Sequence, residues 1–150
     1  HAGYSLAGIP TGAKTVTYTE VNGGPDYKTL GCITMTGVHQ ATPVGTAVTA
    51  TGTTGTPSVT VTTPDTNGMV VDGIFFRGTT LGVAGANQVE QWRQIDTNLS
   101  GSGSTKLGSF GSGVMTWAIT TGIFWGLGAV EFKPAAGGAR TVADMLMLFR

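Results

Sequence analysis

The chain has a single cysteine in 150 residues, so no disulfide can form within it, and packing and hydrogen bonds must hold the fold. Charge is scarce too: Asp, Glu, Lys and Arg make up 11% of the residues and cancel to zero. That balance removes the attraction that nucleic acid or an anionic membrane surface would need. No apolar run approaches the roughly 20 residues that span a bilayer, which argues against membrane insertion. No signal peptide is visible, and a chain starting at His1 is compatible with one already removed. His1 and His39 are the whole imidazole supply.

What is present is glycine, at 25 positions, and a hydrophobic content of 40%. The length suits one domain with a usable core, although glycine adds nothing to that core. Threonine is abundant, and its hydroxyl can cover the outer face of a sheet while its β-branched carbon keeps the strand preference. Thr/Val/Gly-rich runs broken every ten residues or so by Gly, Pro, Asn or Asp predict an all-β fold, an antiparallel two-sheet β-sandwich.

Individual runs support this. Lys14 to Val21 (KTVTYTEV) alternates Val16 and Tyr18 against Thr15, Thr17 and Thr19, the pattern of a half-buried strand. Lys28 to Thr36 and Ser58 to Thr62 also read as strands. In the former, Leu30, Cys32 and Thr34 share a face, and Cys32 is expected to be a buried small residue. Met69 to Phe76 (MVVDGIFF) is apolar on both faces apart from Asp72, which suits a central strand or one covered by a second layer. Val89 to Ile95, Val114 to Ile119 and Phe124 to Lys133 complete the set. The Gly/Ser stretches between them, such as GSGS from Gly101 to Ser104, are expected to be loops within one domain.

Four segments in order carry a resemblance: GVHQATPVGTAVTATGTTGTPSVTV (Gly37 to Val61), MVVDGIFF (Met69 to Phe76), NQVEQWR (Asn87 to Arg93) and WGLGAVEFKPA (Trp125 to Ala135). Together they resemble the concanavalin A-like, LamG-like jelly-roll module of environmental bacterial surface proteins and tailed-phage structural proteins, over most of residues 4 to 135. The resemblance implies a jelly-roll topology and an extracellular or virion setting. Two departures stand out: His39 replaces an Asp usual in that loop, and the family's first strands, preceding the position of Tyr4, are absent.

A sandwich without its opening strands has an unpaired edge, an aggregation hazard unless something fills it. The chain thus divides into a β-sandwich domain, residues 1–135, and an apolar tail, residues 136–150, outside the resemblance. RTVADMLMLFR holds the most hydrophobic run in the sequence. As a strand it puts Val142, Asp144, Leu146 and Leu148 on one face and Ala143, Met145, Met147 and Phe149 on the other. We expect it to complete a sheet in cis or in trans by strand addition, with Val142, Met145, Leu146, Met147, Leu148 and Phe149 as subunit contacts. A short terminal helix is the alternative.

Residues for chemistry are few. Trp117 alternates with Met115 and Ile119, and Trp125 leads the closing strand, so both read as core. Trp92, between Glu90 and Gln94, is the best candidate for exposure; with Tyr27 it is a candidate for stacking a sugar ring. The carboxylates lack the pairing that glycoside hydrolysis requires and read as solvated charge or turn caps, with Glu20 and Glu131 the one conceivable cross-strand pair. Asp65, Asn67 and Asp72 have a calcium-like composition without the oxygen spacing of a calcium loop. An N-terminal histidine is reminiscent of the copper brace of polysaccharide oxygenases, with His39 as the further imidazole, but those enzymes usually carry disulfides. No catalytic residue, metal ligand or cofactor is assigned. The sequence favours a non-catalytic structural or self-assembly module of a virion surface or extracellular filament, whose partners are copies of itself or other surface proteins. A carbohydrate-binding or adhesive module is the alternative, with glycans as partners.

Overall fold

β-Branched residues at alternating positions favour extended backbone, and every regular element among the described residues of the computed structural model is a strand. The structure describes residues 3–6, 15–17, 19, 27–53, 56–63, 67–79, 82–108, 111–119, 123–136 and 146–149. The strands are β1 (Gly3–Leu6), β2 (Gly31–Ile33), β3 (Val48–Gly52), β4 (Ser58–Val61), β5 (Met69–Arg77), β6 (Val83–Ala84), β7 (Val89–Gln94), β8 (Leu99–Leu107), β9 (Gly113–Ala118), β10 (Trp125–Phe132) and β11 (Leu146–Phe149). All their pairings are antiparallel.

A five-stranded sheet, ordered β3-β10-β5-β8-β7, lies at the centre. One of its faces packs on the sheet β4-β9-β6, giving the expected antiparallel sandwich. A third sheet, β1-β11-β2, sends Ile33 of β2 onto the opposite face. The doubly apolar run of β5 is explained by this arrangement, because a strand buried on both sides has no solvent face to keep polar. Met69, Val71 and Phe75 join Val130, Phe132, Ile33, Met35 and Val38 in a first core. Val70, Ile74 and Phe76 join Val59, Val61, Met115, Trp117, Leu127 and Ala129 in a second. Each Val, Ile, Leu, Met or Phe among them contributes about 1.5–3 kcal/mol on burial. Threonines cover the outside: Thr49, Thr51, Thr60 and Thr62 are all exposed.

Several expectations are corrected. GSGS is not a loop but part of β8, the neighbour of β5 along nine register pairs from Met69↔Leu107 to Arg77↔Leu99. Glycine weakens an isolated strand, yet here the ladders of β5 and β7 impose the extended form. The Ser-Gly alternation is then a two-faced strand pattern. Cys32 is exposed, not buried. Leu30, Cys32 and Thr34 do share a face, but it is the outer one; Thr29, Gly31, Ile33 and Met35 point inward. A one-residue error of phase exchanges every side chain between faces. The run Lys28 to Thr36 forms a ladder only over β2. Thr15, Val16, Thr17 and Thr19 lie in no strand, although Val16 is half-buried between exposed threonines; Tyr18 lies outside the described residues.

Leu146–Phe149 is a strand, not a helix. β11 runs between β1, with registers Gly3↔Phe149 to Leu6↔Leu146, and β2, with registers Met147↔Ile33 to Phe149↔Gly31. Val142 and Met145 lie outside the described residues.

Candidate functional site

Among the described residues a dense cluster of polar side chains surrounds Asp72, in the middle of β5. An aspartate in an apolar strand with both faces covered must find its partners inside the protein, and Asp72 is fully buried. Its register partner on β8 is Ser104, which donates twice to Oδ1, through the backbone N–H at 2.7 Å and the hydroxyl at 2.7 Å. Trp117 on β9 reaches down from the facing sheet and donates its indole N–H to Oδ2 at 2.7 Å. The Gln88 amide spans the remaining gap, donating to Ser104 Oγ at 2.8 Å and Asp72 Oδ2 at 3.4 Å. Gln88 Oε1 in turn accepts the Thr116 backbone N–H at 2.7 Å.

A tight turn positions Gln88. The Gln88 N–H donates to the Gly85 carbonyl at 3.1 Å, and Asn87 adopts a left-handed φ of 62°, which asparagine tolerates better than most residues. Gly85 must be glycine, since a Cβ there would stand 2.0 Å from Thr116 Oγ1. The cluster thus ties β5, β8, β9 and the β6–β7 turn together. Desolvation pushes the Asp72 carboxyl up to about 6, against the opposing pull of its Ser104 and Trp117 hydrogen bonds. With no exposed surface, this carboxyl cannot meet a substrate in this conformation; its chemistry is that of an internal fastener.

The reading of the carboxylates as solvated charge or turn caps is corrected at two positions. Asp72 and Glu131 are both fully buried, because β5 and β10 are covered on both faces. Glu131 stands opposite Val70 on the second-core face, and Glu20 lies outside the described residues, as does Asp65. Asn67 is exposed on a turn and is not gathered with Asp72. Asp96 does cap its turn, accepting the Thr97 hydroxyl at 3.0 Å. Among the described residues no three His, Cys, Asp or Glu side chains are grouped to hold a metal ion.

The aromatic candidates separate. Trp117 is buried, and Trp125 packs half-buried against the second core. Trp92 is half-buried and packs against the first core, 6.1 Å from Phe75 between ring centroids with the planes at 42°. Its indole occupies a slot that only glycine leaves open: a Cβ on Gly31 would lie 2.0 Å from Trp92 Cε2, and one on Gly103 would lie 2.1 Å from Nε1. A ring clamped in this way is poorly placed to offer a face to a sugar. Tyr27, 59% exposed, remains open to solvent. His39 is half-buried, and its Nδ1 accepts the Thr42 backbone N–H at 3.0 Å, a loop-closing bond that an aspartate would make equally well. His1 lies outside the described residues.

Sequence reasoning missed Gln88, Ser104 and Trp117 as partners of one carboxylate. A signal existed: an Asp within MVVDGIFF demands donors, and Ser100, Ser102 and Ser104 recur at the strand period. Comparison with protein-family models, with curated proteins and with solved structures found no match to this chain.

Proposed function

We propose that this chain is a non-catalytic structural module of jelly-roll type, a self-assembling subunit of a virion surface or extracellular filament that docks through sheet edges and its C-terminal strand. The observation that carries the reading is the position of β11. Among the described residues β11 is the middle strand of its sheet, flanked by β1 and β2, which lie more than 110 residues earlier in the sequence. A place between two strands that a distant segment fills supports a reading by strand addition. The edges of the central sheet add support. β7 carries the Glu90–Arg93 ion pair and a bulge between Glu90 and Trp92, both of which discourage pairing with another chain. β3, at the opposite edge, is VTATG and has neither charge nor bulge. The low, balanced charge and the threonine-covered exterior suit an extracellular surface.

The test is deletion of Thr141 to Arg150, followed by sizing, electron microscopy and thermal melting beside the intact chain. Polymers or particles that depend on the tail support the reading. Unchanged solubility, melting and oligomeric state would reject it. The carbohydrate-binding alternative keeps exposed Tyr27 as an aromatic candidate, and specific glycan-array binding by a monomer would favour it.

A further inference from the structure

The eight strands β3 to β10 form the sandwich from residues 48–132, and among the described residues none of them has a ladder to the third sheet. Among the described residues β1 pairs only with β11, and β2 pairs only with β11. Without β11, therefore, both β1 and β2 present unpaired N–H and C=O groups on the sides that now face it. We infer that β11 is an exchangeable strand, and that in the assembled state the place between β1 and β2 is filled by β11 of a second copy of this chain. The inference rests on the assembly reading above and names its partner.

Three observations select a second copy as the occupant. First, the receiving strands fit this strand's register, with four pairs to β1 and three to β2. An identical strand from another molecule repeats every one of those pairs, so exchange changes no contact within the sheet. Second, nine residues, 137–145, join Ala136 to Leu146 and include Gly137 and Gly138. At about 3.3–3.6 Å per residue they can span about 30 Å, roughly the diameter of a small domain, which is enough to reach a neighbour. Third, the chain has a net charge of zero, so two copies meet without electrostatic repulsion. The balance between closed and exchanged forms is then set by protein concentration against the effective concentration of a chain's own tail. Reciprocal exchange between two copies closes a dimer, whereas one-way exchange is head-to-tail and propagates unless the rotation closes a ring.

The single cysteine reports on this directly. Cys32 is exposed and stands opposite Leu148 in the β2–β11 register. Native chains, which carry Cys32 alone, are mixed with Cys32→Ser/Leu148→Cys chains at high concentration, oxidised gently, and analysed by non-reducing electrophoresis and mass spectrometry. A disulfide between Cys32 of the native chain and the thiol introduced by Leu148→Cys can form only between molecules. The inference expects this mixed dimer about tenfold above that from Cys32→Ser/Met147→Cys chains, whose introduced thiol is one position out of register with Cys32. Equal yields from the two variants, or no mixed dimer, would overturn it. Should Leu148→Cys chains not fold, the pair Leu6↔Leu146 serves instead, by mixing Cys32→Ser/Leu6→Cys with Cys32→Ser/Leu146→Cys chains. The same preparations are sized: polymers without the mixed disulfide remove strand exchange but leave the structural role standing, whereas monomers throughout remove both.

Discussion

The two faces of β5 solve the problem of burial in different ways. The first face is filled by shape: Phe75 and Val71 pack beneath β2, and Trp92 lies in a slot cleared by Gly31, Gly101 and Gly103. The second face is filled by apolar packing around two buried carboxylates, Asp72 and Glu131, and the hydrogen bonds of Asp72 to Ser104, Trp117 and Gln88 have definite directions. Packing by shape tolerates small slippage, whereas directed bonds to a buried charge do not, because an unpaired buried acceptor or donor costs about 1–3 kcal/mol. The Asp72 cluster therefore fixes the register of two sheets, and the Trp92 slot fixes the spacing of the third sheet from the central one.

The largest expected effect compares the two tryptophans. Trp117→Ala removes a fully buried ring and a donor to Asp72, and should cost about 4–5 kcal/mol or prevent folding. Trp92→Ala empties a half-buried slot and should cost about 2–3 kcal/mol. Denaturant unfolding of both variants gives the ranking, and a reversed order would mean that the first face, not the second, dominates stability.

Next comes Asp72→Asn, read as a function of pH. The folded-state value of Asp72, about 6, lies above its ordinary 3.8. Relative to a neutral side chain, its contribution is thus fully present below the ordinary value and lost as pH rises through about 6. Native protein should gain up to about 3 kcal/mol on the Asn variant between pH 7.5 and pH 3.5. Urea melts of the two proteins at both pH values check this, and a constant difference would mean that Asp72 does not titrate above its unfolded value.

Gly103→Ala, whose new methyl would press on the Trp92 indole, should cost about 1–3 kcal/mol. In a Trp92→Ala background the part of that cost due to the indole should disappear, leaving the 2.9 Å approach of the new Cβ to the Asp72 carbonyl, which gives a coupling energy of about 1 kcal/mol in a double-mutant cycle. Additive losses would show that the slot is not what requires glycine at 103. The smallest effect belongs to the partly exposed Glu90–Arg93 pair on the edge strand. Glu90→Ala should change stability by about 0.5 kcal/mol or less, while sizing reports whether that charge keeps the β7 edge from pairing.

The residues made some of this legible. The runs Ser58 to Thr62, Val114 to Ile119 and Phe124 to Lys133 read as strands and contain most of β4, β9 and β10, and the apolar run at Met69 marked the centre of the sheet. Trp117 was readable as core from its period-two neighbours Met115 and Ile119. β8 was hidden because glycine and serine carry no hydrophobic signal of their own; its extended form comes from ladders with β5 and β7. Cys32 was placed on the wrong face because Leu30 suggested an inward phase that Ile33 and Met35 overrule. The partners of Asp72 lie 16, 32 and 45 residues away, a separation that local patterning does not span.

By itself, then, the amino-acid sequence determined the all-β class, the central place of Met69–Phe76 and the strand tendency of the apolar tail, because side-chain periodicity and β-branching act locally. Only the tertiary structure decided which face of each strand looks inward, that a Gly/Ser run would be a buried strand, and that Asp72 would be held by three distant side chains. Those outcomes depend on ladders and packing between segments far apart in the chain, where the free energy of a residue is set by its neighbours in space.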